Sequence, residues 1–275
     1  MHHLSYTLRL AGAAALSGLL LGCPATKDTT ENQVQTANPT GAYPAAKGFD
    51  QTGSDPKAVA LADQAMRAMG GYDAWNNTRY LAWSFFGGQY QIWDKQTGDF
   101  HWEKDSLVAN YNLGTKQGHV YRLGQDISAT PAGQELLGQL TPIWNNNSWW
   151  LLMPFKLKDS GVTLKYQGPT KTMAGQPAEA LRLTFKNVGT TPENGYEVLV
   201  NPTTGLVDEW AYFPNAADAQ PAFRRRWAEY TRHGQLLLAA DRSAAIKPGR
   251  LDDIATAQTL PAGVMTSKVP VTKLL

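Results

Sequence analysis

Five short segments between Leu81 and Leu123 alternate apolar side chains with polar or small ones, and turns separate them. A period of two puts successive side chains on opposite faces of a β-strand, so each segment predicts a strand with one buried face. Because short turns join neighbouring strands in an antiparallel arrangement, the segments together predict an antiparallel meander. They are 81–85, 90–92, 100–102, 107–113 and 119–123.

A second block of strands is predicted after residue 160, over 162–166, 180–185, 196–200, 206–213, 223–231 and 235–241. The two blocks hold about 11 strands, and a sheet of that size is expected to curve or to close. A helix that begins at Pro56 and ends before Gly70 precedes the strands. A helical insert over 130–150 separates the blocks, and Pro142 is expected to kink or split it. The fold class is therefore mainly β (α+β).

The N-terminus carries an apolar run from Leu10 to Gly22. Its 13 residues are fewer than the roughly 20 that a membrane-spanning helix needs, which is typical of a signal peptide. The run ends in Leu20-Leu21-Gly22-Cys23, and Cys23 is the single cysteine of the chain. This motif resembles the lipobox of bacterial lipoproteins, which implies removal of residues 1–22 and lipidation of Cys23. The alternative is an ordinary secretory signal in which the cysteine is incidental.

Residues 23–54 contain few apolar side chains, so we predict the lipidated cysteine followed by a flexible tether. Position 24 is Pro rather than Asp. By the sorting rule of proteobacterial lipoproteins, the resemblance then implies a lipid-anchored protein of the cell envelope, on the outer membrane and facing the periplasm. The folded domain is expected over 55–245, and the segment 246–275, which has no clear period, is expected to be an irregular tail.

Charge and aromatic content limit the classes of partner. Lys and Arg number 25 and Asp and Glu 23, and this near balance argues against a nucleic-acid groove, which needs a basic face. The 9 Trp and 11 Tyr exceed the 8 Phe, and such amphipathic rings favour surfaces that meet a ligand, a membrane or a sugar. The one cluster of charge is Arg224-Arg225-Arg226 on a predicted strand. Its arginines either face solvent or contact lipid headgroups or phosphate.

The sequence contains no complete catalytic motif, because the S-x-x-K formed by residues 54–57 lacks the S-D-N and K-T-G that accompany it in penicillin-recognising enzymes. It contains no G-x-S-x-G, H-E-x-x-H, P-loop or dinucleotide fingerprint. Three histidines follow the predicted signal peptide, His101, His119 and His233, and no two of them have the spacing of metal ligands within one element. We therefore predict no catalytic residues, no metal and no cofactor.

The most apolar stretch after the signal peptide is Trp149–Phe155. It is expected either to plug the core or to line a ligand cavity. The aromatic residues of the strands are likewise expected either to fill the core or to form the cavity wall. The predicted lining residues are Trp83, Phe85, Trp102, Trp149, Trp150, Leu152, Met153 and Phe155.

Three motifs carry a resemblance to a known group of proteins. They are WWLLMPFKLKDSGVTLKY, then G-x-P-A-E-A-L-R-L-T-F, then Y-E-V-L-V-N-P-T-T-G-L-V-D-E-W, within 55–241. This pattern resembles an uncharacterised family of exported bacterial proteins related to the outer-membrane lipoprotein-sorting (LolA/LolB-like) superfamily. Where that family typically reads Asp-Pro-Gly, this chain has Asp159-Ser160-Gly161. The resemblance implies a curved antiparallel half-barrel, closed on its concave side by helices around an apolar cavity.

The leading hypothesis is a non-enzymatic envelope protein that binds an apolar ligand such as a lipid or acyl chain. Its membrane contact would be the N-terminal lipid anchor, and its protein partners are unknown. A second hypothesis is a scaffold lipoprotein with a packed interior. A third is an exported hydrolase built around His101 or His119, which requires those side chains to meet carboxylates in a cleft.

Overall fold

Antiparallel strands are the main regular secondary structure, as the period of two predicts. A computed structural model describes residues 42–274. The strands are β1 (Tyr80–Phe85), β2 (Gln89–Asp94), β3 (Asp99–Lys104), β4 (Leu107–Asn112), β5 (Gln117–Arg122), β6 (Gln125–Asp126), β7 (Val162–Lys171), β8 (Pro177–Phe185), β9 (Gly195–Val200), β10 (Val207–Phe213), β11 (Phe223–Arg226), β12 (Ala228–His233), β13 (Leu236–Asp241) and β14 (Asp252–Ala257).

These strands form three antiparallel sheets. The largest is curved and has seven strands in the order β14-β1-β2-β3-β4-β5-β6. A second sheet has five strands in the order β11-β10-β9-β8-β7, and β12 and β13 form a hairpin of their own. The mainly β half-barrel fold is thereby confirmed, with its strands divided among three sheets.

Besides the short strand β6, which was not predicted, two strand assignments differ from the prediction. The single strand expected over 223–231 divides at Trp227, which is fully buried and donates its backbone N–H to the carbonyl of Asp208, 2.9 Å away. The chain passes there from the five-stranded sheet to the hairpin. Strand β14, which lies within the predicted irregular tail, pairs with β1 at the edge of the large sheet.

Three α-helices accompany the sheets: α1 (Pro56–Ala68), α2 (Tyr72–Asn77) and α3 (Pro131–Leu152). Thr130 caps the N-terminus of helix α3, because its side-chain oxygen accepts from the backbone N–H of Gly133, 3.1 Å away. Of the two expected effects of Pro142, a kink or a split, the split does not occur, since α3 is continuous through this residue. Proline has no backbone N–H to donate to the carbonyl of Gly138, four residues earlier. Gly138 is exposed, so its carbonyl can accept a hydrogen bond from water instead.

Helix α3 covers the inner face of the seven-stranded sheet. Its Leu140 packs in a buried cluster with Phe100, Ala109 and Val120. Near its other end, the buried Asn147 donates to the side-chain oxygens of Gln89 and Gln91, each 3.1 Å away. The helical insert therefore lies on the concave side, where the resemblance places it.

The outer face of the same sheet is covered by the C-terminal segment. Apolar side chains of this segment, including Val264 and Leu274, pack on Tyr80, Ala82 and Ile92. The backbone N–H of Val271 donates to Glu103 over 2.7 Å. Tertiary contacts thus order much of this segment although it lacks its own periodicity, because β14 pairs within the sheet and side chains between 260 and 274 pack on its outer face.

The end of the predicted tether is also ordered. Tyr43 and Phe49 are buried in two core clusters, and the backbone around Gly48 bonds to residues 158–162. The predicted flexible tether therefore does not extend over 42–54, since two buried rings and a set of backbone hydrogen bonds offset the ordering entropy. The signal peptide, Cys23 and the rest of the tether lie outside the described residues.

A buried ion pair fixes this N-terminal segment. The Lys158 ammonium lies 2.7 Å from the Asp63 carboxylate, and both side chains are at most 10% exposed. Asp63 also accepts the backbone N–H of Tyr43 at 3.2 Å, and Lys158 donates to the Tyr43 carbonyl. Helix α1, the segment after α3 and the start of the described chain meet at this pair.

Lys158→Met is expected to lower the free energy of unfolding by about 3–5 kcal/mol, because it leaves the Asp63 carboxylate buried without its cation. The measurement is urea unfolding followed by circular dichroism. Lys165→Met is the matched control: it removes the same charge from an exposed pair with Asp55 and should change stability little. Equal losses in the two variants would contradict a structural role for the buried pair.

Candidate functional site: an aromatic cavity

A cavity of about 540 Å³ lies between the C-terminal half of α3 and the inner face of the five-stranded sheet. Eight aromatic side chains line it: Trp144, Trp149, Trp150, Phe185, Tyr196, Trp210, Tyr212 and Phe223. Polar residues stand at its margin, among them Lys156, Ser160, Thr191 and Asn194.

The register of the sheet explains why the aromatic rings converge. Tyr212 on β10 is the cross-strand partner of both Tyr196 on β9 and Phe223 on β11. Trp210 lies two residues before Tyr212 and therefore on the same face. Alternation along three neighbouring strands thus builds one continuous aromatic surface.

Two of the three tryptophans of α3 lie above this surface. The Trp149 ring is centred 4.9 Å from Tyr196, and the Trp150 ring meets Trp210 edge-on at 4.9 Å. Trp210 is buried, whereas the rings of Trp149 and Tyr196 are half-buried. Burial raises the pKa of Tyr196, so its hydroxyl stays neutral at physiological pH. The rings therefore offer an uncharged, mainly apolar surface.

Arg242 holds the end of α3 in place. Its side chain is fully buried, and its guanidinium carbon lies 3.5 Å from the ring centre of Trp227. Its Nε donates to the carbonyl of Trp150 at 2.8 Å, and its other nitrogens donate to the carbonyls of Asp241 and Ala239. Burial lowers the pKa of Arg242 to about 9, so the group remains charged at neutral pH. A cation at a helix C-terminus is favourable, and it orients the turn that carries both tryptophans.

The polar margin is neutral in charge. The Lys156 ammonium pairs with the Asp159 carboxylate at the β7 side of the cavity. Asn194 accepts from the Tyr212 hydroxyl at 3.3 Å and donates to the Thr191 hydroxyl. In these contacts the polar side chains bond to one another. The apolar rings therefore determine which ligands the cavity can bind.

Of the eight predicted lining residues, the structure brings Trp149 and Trp150 to this cavity. Phe85 borders a separate cleft of about 610 Å³. The other five are packed in the core and line neither this cavity, nor that cleft, nor the open cleft beside His119: Trp83, Trp102, Leu152, Met153 and Phe155.

The prediction missed the residues of the five-stranded sheet that line the cavity. The signal was present in the alternation of Trp210, Tyr212 and Phe223, which marks one face of two strands. The sequence does not state which strand face meets the helical insert, and the cavity depends on that choice.

The two histidines of the hydrolase hypothesis occupy different settings. His101 is fully buried, with Nδ1 2.7 Å from the Asn110 oxygen and Nε2 2.7 Å from Glu103. His119 borders an open cleft, and its Nδ1 lies 2.9 Å from Asp126.

The carboxylate beside His119 is engaged by a serine. The hydroxyl and the amide of Ser128 lower the pKa of Asp126 to about 2, with a smaller contribution from His119. The Ser128 hydroxyl thus donates to the carboxylate and not to the imidazole, which is not the order of groups in a nucleophilic triad.

Two features are missing from the described chain. Across residues 42–274, no three His, Cys, Asp or Glu side chains group as metal ligands. Nor does any helix of that region combine the length and apolar character needed to cross a bilayer.

Comparison with known proteins gives similarity to solved structures. No protein-family model and no curated protein matches the chain. A DUF1329 family protein from Desulfovibrio piger, 12% identical, covers 77% of this chain and 98% of its own, with a TM-score of 0.40. MucB, 18% identical, covers 69% of this chain and 67% of its own, with a TM-score of 0.26. An uncharacterized conserved protein from Thermus thermophilus reaches a TM-score of 0.22 at 11% identity, covering 62% and 87% of the two chains. At these TM-scores the similarity carries no functional argument.

Arg242→Met is expected to lower the free energy of unfolding by about 2–4 kcal/mol, because three backbone carbonyls lose their donor. It should also shift tryptophan fluorescence, since the turn that carries Trp149 and Trp150 loses its cation. Urea unfolding and emission spectra check both effects. Arg232→Met, on the exposed side of the same hairpin, is the control and should leave both unchanged. An unaltered emission spectrum in Arg242→Met would contradict the positioning role.

Proposed function

We propose that this chain is a lipid-anchored protein of the bacterial envelope that binds an apolar ligand in the aromatic cavity and catalyses no reaction. The observation that carries the proposal is the cavity of about 540 Å³ with half-buried aromatic walls. Ligand sites are typically concave, mostly apolar and of ~300–1,000 Å³. Burial of ligand surface at about 25 cal/mol per Å² supplies affinity without specific polar chemistry.

The first experiment asks what the protein carries. All packing described above lies within residues 42–274, so a chain that starts at Pro24 retains it without the lipid anchor. This chain would be purified without detergent from a bacterial host and examined by native mass spectrometry, then extracted with organic solvent. A stoichiometric lipid supports the proposal and identifies the ligand class. A clean apo mass that persists after incubation with fatty acids and phospholipids would overturn it.

Trp149→Ala is expected to weaken ligand binding by at least about tenfold, because it removes one wall of the cavity. The measurement is a titration with a fluorescent fatty acid. Trp75→Ala is the matched control, since Trp75 is also half-buried and stacks on Phe155 at 4.6 Å but lies outside the cavity. The same weakening in both variants would show a general loss of packing instead of a ligand wall.

Anchoring through Cys23 is a separate prediction. Cys23→Ser should abolish incorporation of labelled palmitate into the full chain, because serine offers no thiol for lipidation. The chain with Cys23 should fractionate with the outer membrane, as the residue Pro24 implies under the sorting rule. Incorporation that survives the substitution would contradict the anchor.

The packed scaffold remains a second candidate, and one observation favours it. Helix α3 and the C-terminal segment fill both faces of the seven-stranded sheet, so this half of the molecule is a packed core. A scaffold would hold envelope proteins by its surface and would show no stoichiometric lipid. The mass-spectrometry experiment therefore separates the two candidates.

A further inference from the structure

Arg225 lies on the same face of the edge strand β11 as Phe223, next to the residues that line the cavity. It is the cross-strand partner of Trp210, just as Phe223 is the partner of Tyr212. All three of these aromatic residues line the cavity. Because residues two apart share a face of a strand, Arg225 stands at the β11 end of the aromatic surface.

The guanidinium of Arg225 lacks an acceptor. Its central carbon lies 5.4 Å from the ring centre of Phe223, a cation–π contact. Within residues 42–274, Arg225 forms no hydrogen bond or ion pair through its side chain, and its Nε is buried without a partner. A buried donor without an acceptor is destabilising, so this group is suited to an acceptor that a ligand brings.

The other cations nearby are arranged differently. Arg224 points to the opposite face of β11 and lies 3.0 Å from Glu197 and 3.2 Å from Glu209. Lys156, at the β7 side of the cavity, is paired with Asp159. Arg225 does not line the cavity but contacts Phe223, which does, and among these described cations it is the one whose charge no carboxylate neutralises.

We propose that the ligand of the cavity is an anionic amphiphile, whose carboxylate or phosphate head binds Arg225 while its apolar chain lies on the aromatic surface. An arginine can donate to two oxygens of such a head side by side. The Arg225 guanidinium, which has no other acceptor within the described chain, is suited to this contact. The five strands span about 19 Å between β11 and β7, which leaves length for a chain beyond the head. This inference rests on the proposed function and adds the chemical class of the ligand.

The test compares ligands that share one chain and differ in the head. Palmitate, hexadecyl phosphate and hexadecanol are titrated into the chain from Pro24 onward, below their aggregation limits, by tryptophan fluorescence. We expect at least one anionic ligand to bind at least about tenfold more tightly than the alcohol, because a charge-assisted hydrogen bond forms with the anionic head alone. The stronger of the two anions shows whether the source is a carboxylate or a phosphate.

Two variants assign the preference to Arg225. Arg225→Gln should reduce the preference for the anion to less than about threefold while hexadecanol still binds, and Arg225→Lys should restore part of it. Arg226→Gln is the matched control, since it removes the same charge from the opposite face of β11 and should preserve the preference. Thermal unfolding verifies that all variants are folded.

The outcomes separate this inference from the proposed function. Equal binding of the three ligands by the parent chain overturns the anionic class and leaves apolar binding intact. Binding of none of them overturns the proposed function itself. Loss of preference in Arg226→Gln as large as in Arg225→Gln overturns the assignment to Arg225. Displacement of palmitate by inorganic phosphate at a similar concentration would show a free-anion site and overturn the amphiphile.

Discussion

Helix α3 is held by polar groups that are buried at two points, and the arrangement of the sheets around it depends on them. Asn147 donates to Gln89 and Gln91 on the seven-stranded sheet, and Arg242 donates to the last turn at the carbonyl of Trp150. An unpaired polar group in the interior is costly, so the helix cannot rotate or slide without losing these bonds. The result is one defined position for Trp149 and Trp150.

The two halves of α3 meet different sheets, and the aromatic cavity lies where the second half faces the five-stranded sheet. In the first half, Leu140 packs in a buried cluster with Phe100 and Ala109 of the seven-stranded sheet. In the second half, Trp149 and Trp150 face a sheet whose neighbouring strands carry large rigid rings. These rings stack or meet edge-on, and several of them are only half-buried and border the cavity.

Prediction from the sequence succeeded where a local signal was strong. All five segments between Leu81 and Leu123 are strands, since each carries its own alternation. Prediction failed where pairing orders a segment without such a signal, as for β14 in the C-terminal segment. It failed also at Trp227, where burial of one ring redirects the chain between two sheets. The site was found in part, because Trp149 and Trp150 belong to the most apolar stretch after the predicted signal peptide.

The sequence by itself determined the class of the fold, since periodicity is a local property that each strand and helix carries in its own residues. It also determined which side chains are available for binding: many tryptophans and tyrosines, and one run of three arginines. Tertiary structure alone decided which aromatic residues border empty space and which fill the core. It also decided that Arg224 pairs with Glu197 and Glu209, while Arg225 contacts the ring of Phe223 and its Nε is buried without a hydrogen-bond partner in the described part of the chain. The physical reason is that burial and charge pairing arise between elements distant in the chain, and these depend on how the sheets and α3 meet.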